Sequence, residues 1–486
     1  DAGYSPKELL RVGVFAGVQF NDYQTLLQQW RQSNHPYAAT GNAHAMLANR
    51  VSYLMNFKGP SQTIDTACSS ALVALNRGIM ALEKGECEYA LVGAVSLLID
   101  PIVSDAAKSM GVLSPNYRCA TFDAQADGYV RAEGVGCVLI KPLEKAINDG
   151  DSIYAVIDNC VENHGGKSNS LTAPNPEAQK ELLIRAYNRD TVKEVSYIET
   201  HGTGTVLGDP VEIDALKRAW KEMCPNKEVA SIALGAVKTN IGHLEPAAGI
   251  ASLLKVILAF KHKYLPANVH FNSQNPYINL TDSPFKLLKQ AQSWHSSNTL
   301  VAGISSFGFG GSNAHVVLRE APKIKSQRLN TKKFYLITLS AKSLMSLERM
   351  CQNLNDTLYL NREFVLADIS YTLNKGREHF EYRLAWVVET IEELQQKLNS
   401  VDLVSIKKVR INNDTVDISF FNAPSNDYKK QLEQGCLSYL SGNLLDWDKL
   451  YAYENCKRIH LPTYYFDTKA YWFENAMDSE LMKELQ

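Results

Sequence analysis

Over the first three hundred residues, short apolar runs alternate with longer stretches of helical period. "VGVFAGV" (12–18), "SQTIDTA" (61–67), "YALVGAVSLL" (89–98) and "GCVLIKPL" (136–143) predict buried strands. So do "SIYAVIDNCVEN" (152–163), "VSYIETHG" (195–202), "ALGAVKTNIG" (233–242), "LVAGISSFG" (300–308) and "SNAHVVLRE" (312–320). Near-continuous Val, Ile, Leu and Ala in runs this short suits strands covered on both faces. Helices are predicted between them. Residues 69–86 place Leu72, Leu75, Ile79 and Leu82 on one face and stop near Gly85. "AQKELLIRAYNR" (178–189) and "GIASLLKVILAFKHK" (249–263) read the same way. Together these predict a layered α/β core.

The pattern changes after about residue 320. "EAPKIKSQRLNTKK" (320–333) is polar, basic and interrupted by proline, and reads as a linker. Beyond it, Leu344, Leu347, Leu354 and Leu358 repeat with helical period, and "FYLITLS" (334–340) and "VDISFFN" (416–422) predict strands. The expected domains are therefore 1–320, a smaller α/β unit over 321–460, and an aromatic-rich segment with a C-terminal tail over 461–486. "LPTYYFDTKAYWF" (461–473) is suited to docking on an apolar surface.

The chain has 486 residues, 45% of them hydrophobic, and a net charge of −2. That length supports a large core without disulfides or metal. The charge balance gives no basic field for nucleic acid, and no apolar run is long enough to span a bilayer. The nine cysteines are scattered, with no CxxC pair. Their spacing fits neither a disulfide framework nor a zinc cage, and points to a reducing, cytoplasmic setting.

Four stretches at predicted strand ends carry candidate chemistry. In "DTACSS" (65–70), Cys68 lies where a strand turns into a helix. The helix N-terminus presents free N–H groups and partial positive charge. Both are expected to lower a thiol pKa and to hold an oxyanion. Position alone leaves open a small buried thiol. In "ETHGTGTVLGDP" (199–210), glycines allow close backbone approach to a ligand, Thr203 and Thr205 offer hydroxyls, and His201 stands at a strand end. "VKTNIGHLEPAAG" (237–249) reads as a further strand end carrying Lys238 and His243. Either histidine by itself is equally a structural one bonded to backbone. "SSFGFGGSNAHVVL" (305–318) is a glycine-rich turn carrying Phe309, open to readings as a plain hairpin or as a ligand-facing turn. One Cys, two His and one Lys with two Gly-rich loops suit carbon–carbon chemistry on thioesters.

"DTACSS", "HGTGT", "KTNIGH" and "GFGGSNAH", with "GVLSPNYRCATFDAQADGYVRAEG" (111–134), stand in the order and spacing of the β-ketoacyl synthases of modular polyketide synthases. The chain resembles that family over residues 1–320, and residues 321–486 resemble its post-synthase linker region. The resemblance implies a thiolase-like fold: two related α/β halves layered αβαβα, usually as a homodimer. It implies Cys68 as nucleophile and the backbone N–H groups of Cys68 and Phe309 as oxyanion hole. His201 and His243 would act on the malonyl unit, Lys238 would tune their charge, and Thr203 and Thr205 would hold the pantetheine arm. No directly bound cofactor is implied; the phosphopantetheine belongs to partner acyl carrier proteins.

Between the synthase and the "LPTYYF" segment there is too little chain for an acyltransferase, and no GHSxG elbow occurs. That, with "NHGGKSNSLTAPNPEAQ" (163–179), resembles assembly lines served by a trans-acting acyltransferase. The family's first strand is expected to be missing before Asp1, which would mark a partial chain with an open sheet edge. "TYYF" stands where the family usually has "TYPF". Three alternatives are a non-elongating transferase that passes the chain on, a fatty-acid type synthase, and a scaffold or docking module. Non-elongating relatives commonly lose the histidine of HGTGT, and His201 is present.

Overall fold

The computed structural model describes residues 1–5, 9–29, 36–225, 230–296, 298–323, 332–412, 415–416, 418, 428–452 and 454–469. Two compact units divide them: Leu10–Leu143 with Ile153–Pro322, and Asp1–Leu9 with Glu144–Ser152 and Lys323–Gln486.

The larger unit is an α/β repeat written twice. In the first repeat, β1 (Val12–Gly17), α1 (Ala45–Met55), β2 (Ser61–Ile64), α2 (Ser70–Glu83), β3 (Tyr89–Ser96) and β4 (Gly134–Ile140) form a sheet of order β2-β1-β3-β4. β1 runs parallel to β2 and β3, and β4 runs antiparallel to β3. The chain then forms β5 (Ala155–His164) and α3 (Pro176–Ala186). The second repeat follows as β6 (Val195–Glu199), α4 (Gly208–Met223), β7 (Ile232–Gly235), α5 (Lys238–Ile241), α6 (Ala248–His262), β8 (Phe285–Leu287), β9 (Val301–Phe307) and β10 (Ser312–Glu320). Its sheet has the order β5-β10-β9-β6-β7-β8. The run β7-β6-β9-β10 repeats β2-β1-β3-β4 strand for strand, with the same two parallel pairs and one antiparallel pair. α2 and α6 hold equivalent positions in the two repeats.

Burial explains the layering. Leu72 and Leu75 of α2, Ile250 and Leu253 of α6, Val92 of β3 and Ile304 of β9 belong to one apolar core, so the two helices lie between the sheets. They approach closely at Gly249, where a Cβ would stand 2.7 Å from Leu72 Cγ. A second core forms on the far side of the larger sheet, from Leu183 of α3, Ile213, Leu216 and Trp220 of α4 and Val301 of β9. The strands and helices predicted over the first 320 residues are present, with ends displaced by up to a few residues. One assignment changes. The predicted strand 233–242 ends at Gly235, and Lys238 opens a four-residue helix instead of continuing the strand. The backbone turns there because Glu199 at the end of β6 captures the Val237 N–H.

The smaller unit pairs β11 (Tyr335–Ala341) antiparallel with β12 (Tyr382–Val388). α7 (Leu344–Leu360), α8 (Leu366–Lys375), α9 (Ile391–Asn399) and α10 (Tyr428–Leu440) pack with that ladder. Leu347, Leu354 and Leu358 form the buried stripe the periodicity predicts, and Leu344 is half-buried. Ser343 and Thr390 cap α7 and α9 through their side chains. Of the predicted strand 416–422, Val416 lies in a two-residue strand and residues 417 and 419–422 lie outside the described residues. Arg458 joins distant parts of this unit: its guanidinium donates to Gly3 O (3.1 Å), Asp149 O (2.9 Å) and Asp151 Oδ1 (2.9 Å). Within this unit Leu461 enters the core, and the Tyr464 hydroxyl accepts from Lys342 N (3.1 Å). Residues 470–473 of the aromatic segment lie outside the described residues.

Candidate active site

Cys68 sits between β2 and α2 on a tight turn. Ala67 before it has φ of 55°, a left-handed conformation that a residue with a Cβ adopts at a cost. Local bonds hold the turn: Ala67 N donates to Asp65 Oδ1 (3.0 Å), Ser69 Oγ to Thr66 O (2.8 Å) and Ser70 Oγ to Ala67 O (2.6 Å). Cys68 is 8% exposed. The sequence predicts a lowered thiol pKa, and the structure reverses that direction. Burial, aided by Glu245, pushes the thiol up to about 12; Lys238 and the backbone N–H groups of Phe309 and Cys68 oppose the rise and are outweighed. Those two N–H groups converge on the sulfur.

The Phe309 donor comes from the turn between β9 and β10. Gly308 N donates to Ser312 O (2.7 Å) and Gly311 N to Gly308 O (2.8 Å). The stretch is therefore a hairpin turn that also faces Cys68. Gly308 is required there, because a Cβ would lie 2.4 Å from Thr66 O. The Phe309 ring is half exposed.

His201 follows β6 and His243 follows α5; their ring centroids are 5.6 Å apart and nearly perpendicular. Each ring has its Nδ1 occupied as an acceptor. Phe307 N donates to His201 Nδ1 (3.3 Å), and Glu245 N donates to His243 Nδ1 (3.0 Å). In the neutral imidazole this leaves the proton on Nε2, so each ring presents an N–H donor. Burial first, then Lys238, holds both histidines well below the usual range. Lys238 is itself buried, and its Nζ donates to His201 O at 2.6 Å. Burial lowers its pKa, against Cys68, Glu199 and Glu212. The structure thus places Cys68, His201, His243, Lys238 and the Phe309 N–H in one site. Thr203 and Thr205 lie on the same loop as His201, partly exposed, with their hydroxyls 3.2 Å apart.

Several supporting residues escape a reading of motifs alone. Glu212 of α4 accepts from His201 N (2.7 Å) and Gly202 N (2.9 Å), and Asp209 accepts from Gly204 N (3.1 Å) and Phe122 N (2.8 Å). These carboxylates stand three apart on the helix after "HGTGT", on one face. Arg131 forms a buried pair with Glu245 (2.8 Å), and Tyr129 meets the His243 ring edge-on. His315 of "SNAH" is not part of the group. It is buried between Tyr187 Oη (2.7 Å) and Ser305 Oγ (3.0 Å), and burial lowers its pKa to about 3.

A duplicated, layered α/β fold with a buried thiol, two backbone donors on its sulfur and two neutral imidazoles defines a thiol-dependent acyl-transfer enzyme of the thiolase-like class. Comparison with known proteins narrows the class. Residues 1–146 match the β-ketoacyl synthase N-terminal domain, 154–272 its C-terminal domain, and 335–398 a CurL-like polyketide synthase C-terminal domain. The chain belongs to the β-ketoacyl synthase family, as a ketosynthase of the polyketide synthase type. It is similar to polyketide synthase PksN of Bacillus subtilis, with 39% identity over 98% of this chain and 9% of that protein. It is also similar to polyketide synthase PksL of the same organism, with 38% identity over 100% of this chain and 12% of that protein. The chain thus spans about a tenth of the length of these relatives. Among solved structures, the ketosynthase from module 6 of the bacillaene synthase of Bacillus subtilis superposes with a TM-score of 0.84. That match has 33% identity and covers 97% of this chain and 84% of that one. An oxazolomycin ketosynthase domain of Streptomyces albus matches with a TM-score of 0.84 and 35% identity, over 96% and 79% of the two chains.

Proposed function

We propose that the protein extends an acyl chain on a carrier protein by decarboxylative Claisen condensation with a malonyl unit. The observation that carries this reading is the pair of neutral imidazoles, His201 and His243, both with Nε2–H free to donate beside a buried Cys68. An acyl thioester on the phosphopantetheine of one carrier protein enters. Cys68 attacks its carbonyl, the N–H groups of Phe309 and Cys68 hold the oxyanion, and the carrier thiol leaves with the proton. A malonyl carrier then binds, with Thr203 and Thr205 toward the pantetheine arm. His201 and His243 donate to the malonyl thioester oxygen, stabilising the enolate as carbon dioxide departs. The enolate carbon attacks the acyl-Cys68 carbonyl, the Cys68 sulfur leaves and takes up a proton, and a β-ketoacyl carrier results. Lys238 holds the His201 backbone and disfavours protonation of either ring. The malonyl unit is loaded onto the carrier by a trans-acting acyltransferase, a reading supported by the likeness to the bacillaene synthase ketosynthase.

A homodimer is the proposed assembly. β7 has its outer edge covered by β8, whereas the equivalent edge of β2 has no strand partner among the described residues. α1, beside it, ends in exposed Tyr53 and Leu54. A second copy would supply the missing strand and cover these side chains.

The test supplies an acyl thioester and malonyl-loaded carrier protein and follows Cys68 and the carrier by intact mass. A β-ketoacyl carrier product that vanishes in Cys68→Ala is expected. Acylated Cys68 with no extended product would overturn condensation in favour of a non-elongating transferase.

A further inference from the structure

The carbonyl of Cys68 points to a residue with no assigned role. α2 begins at Ser70, and its first helical bond runs from Val73 N to Ser69 O, so the helix does not use the Cys68 carbonyl. A buried carbonyl needs a donor from elsewhere. It finds one in Ser306 Oγ, at 2.7 Å, on β9 of the other repeat. Ser306 is 1% exposed. The next three residues continue toward the same site. Phe307 N donates to His201 Nδ1, Gly308 lies where a Cβ would collide with Thr66 O, and the Phe309 N–H faces the Cys68 sulfur. Four consecutive residues of one strand end thus grip Cys68 at its carbonyl and at its sulfur, and grip His201 between. The turn they hold is the one strained at Ala67, and a strained turn keeps its shape only when its surroundings restrain it.

We propose that Ser306 is a positioning residue for acyl transfer: its hydroxyl fixes the Cys68 carbonyl so that the sulfur stays in register with the Phe309 N–H. This rests on the reading of Cys68 as nucleophile. Losing the bond frees the Cys68 peptide to rotate and separates the sulfur from the oxyanion donor. Chemistry at sulfur that needs no oxyanion donor loses only the help the Phe309 N–H gives the thiolate, and falls less. That split sets a positioning role apart from general loosening of the fold.

The experiment uses the full chain and compares two reactions of Cys68 by intact mass: acylation by an acyl N-acetylcysteamine thioester, and alkylation by iodoacetamide. In Ser306→Ala, acylation is expected to slow about tenfold, the scale of one lost hydrogen bond in a transition state. Alkylation, which needs the thiolate but no oxyanion hole, is expected to fall clearly less than acylation. Ser306→Thr keeps the hydroxyl and is expected to acylate near the wild-type rate. Wild-type rates of acylation in Ser306→Ala overturn the inference, as does a parallel fall in both reactions. If the alanine variant does not fold, the threonine variant decides: folded protein that has lost acylation overturns it. A wild-type chain that never acylates Cys68 sinks the nucleophile reading itself, which is a different result from an indifferent Ser306.

Discussion

At the scale of single residues, the site depends on keeping titratable groups uncharged. His201 and His243 are buried near Lys238, so protonating either would place two cations together in a poorly solvated space. The backbone N–H groups on their Nδ1 atoms complete the arrangement by directing the remaining proton outward. Under the proposed condensation, His243→Ala removes one of the two donors to the developing enolate. Its malonyl-carrier decarboxylation is expected to fall about 10²–10³-fold, the usual loss for one such donor. Acylation of Cys68 is expected to persist, because the Phe309 and Cys68 N–H groups are untouched. Separate rate measurements of the two half-reactions check this, and equal losses in both would contradict the division of labour. The thiol follows the same logic. Burial raises the Cys68 thiol to about 12, so in the proposed reaction its proton leaves as the thioester is attacked.

At the scale of elements, α4 braces the loop that carries His201. Glu212 and Asp209 are buried and between them accept four backbone N–H groups, three from the loop carrying His201. Burial raises Glu212 from 4.5 to about 7 and Asp209 from 3.8 to about 6, the N–H bonds only partly opposing it. Both carboxyls therefore bind protons more tightly folded than unfolded. Their contribution to stability is full below the unfolded values, declines as pH rises and levels off once both folded groups have ionised. The buried histidines His201, His243 and His315 are lowered on folding and act in the opposite sense up to their ordinary value of 6.5, so the carboxyl contribution is read as the difference in thermal midpoint between wild type and variant. The stability of the wild type relative to Glu212→Gln should fall as pH rises from 4.5 through about 7 and then level off. A difference that stays constant with pH would show that Glu212 does not set the decline.

At the scale of the whole molecule, duplication divides the labour. The first repeat supplies Cys68; the second supplies His201, Lys238, His243 and the Phe309 turn. The buried Arg131–Glu245 pair also crosses from one repeat to the other. The repeats differ at both edges: β8 covers β7 and β5 covers β10, whereas β2 and β4 have no outer strand partner among the described residues. Light scattering behind size exclusion should therefore find a dimer. Leu54→Asp with Tyr53→Glu should shift it toward monomer, because charges next to a buried strand pairing are costly to desolvate. A monomeric wild-type chain would remove the proposal.

The sequence by itself determined the alternation of strands and helices, because burial on both faces demands apolar runs that local composition displays. It also marked Cys68, His201, Lys238, His243 and Phe309, since short motifs carry the residue types that thioester chemistry needs. What only the tertiary structure decided are the relations between distant segments. Lys238 starts a helix because Glu199, far away in sequence, takes the Val237 N–H. The thiol pKa rises, against the expectation from a helix N-terminus, because desolvation by the whole fold outweighs a local dipole. The tautomers of both histidines follow from backbone donors at Phe307 and Glu245, one remote and one adjacent. Ser306 carries no signal of its own in the chain; it matters because β9 of one repeat ends against the turn of the other.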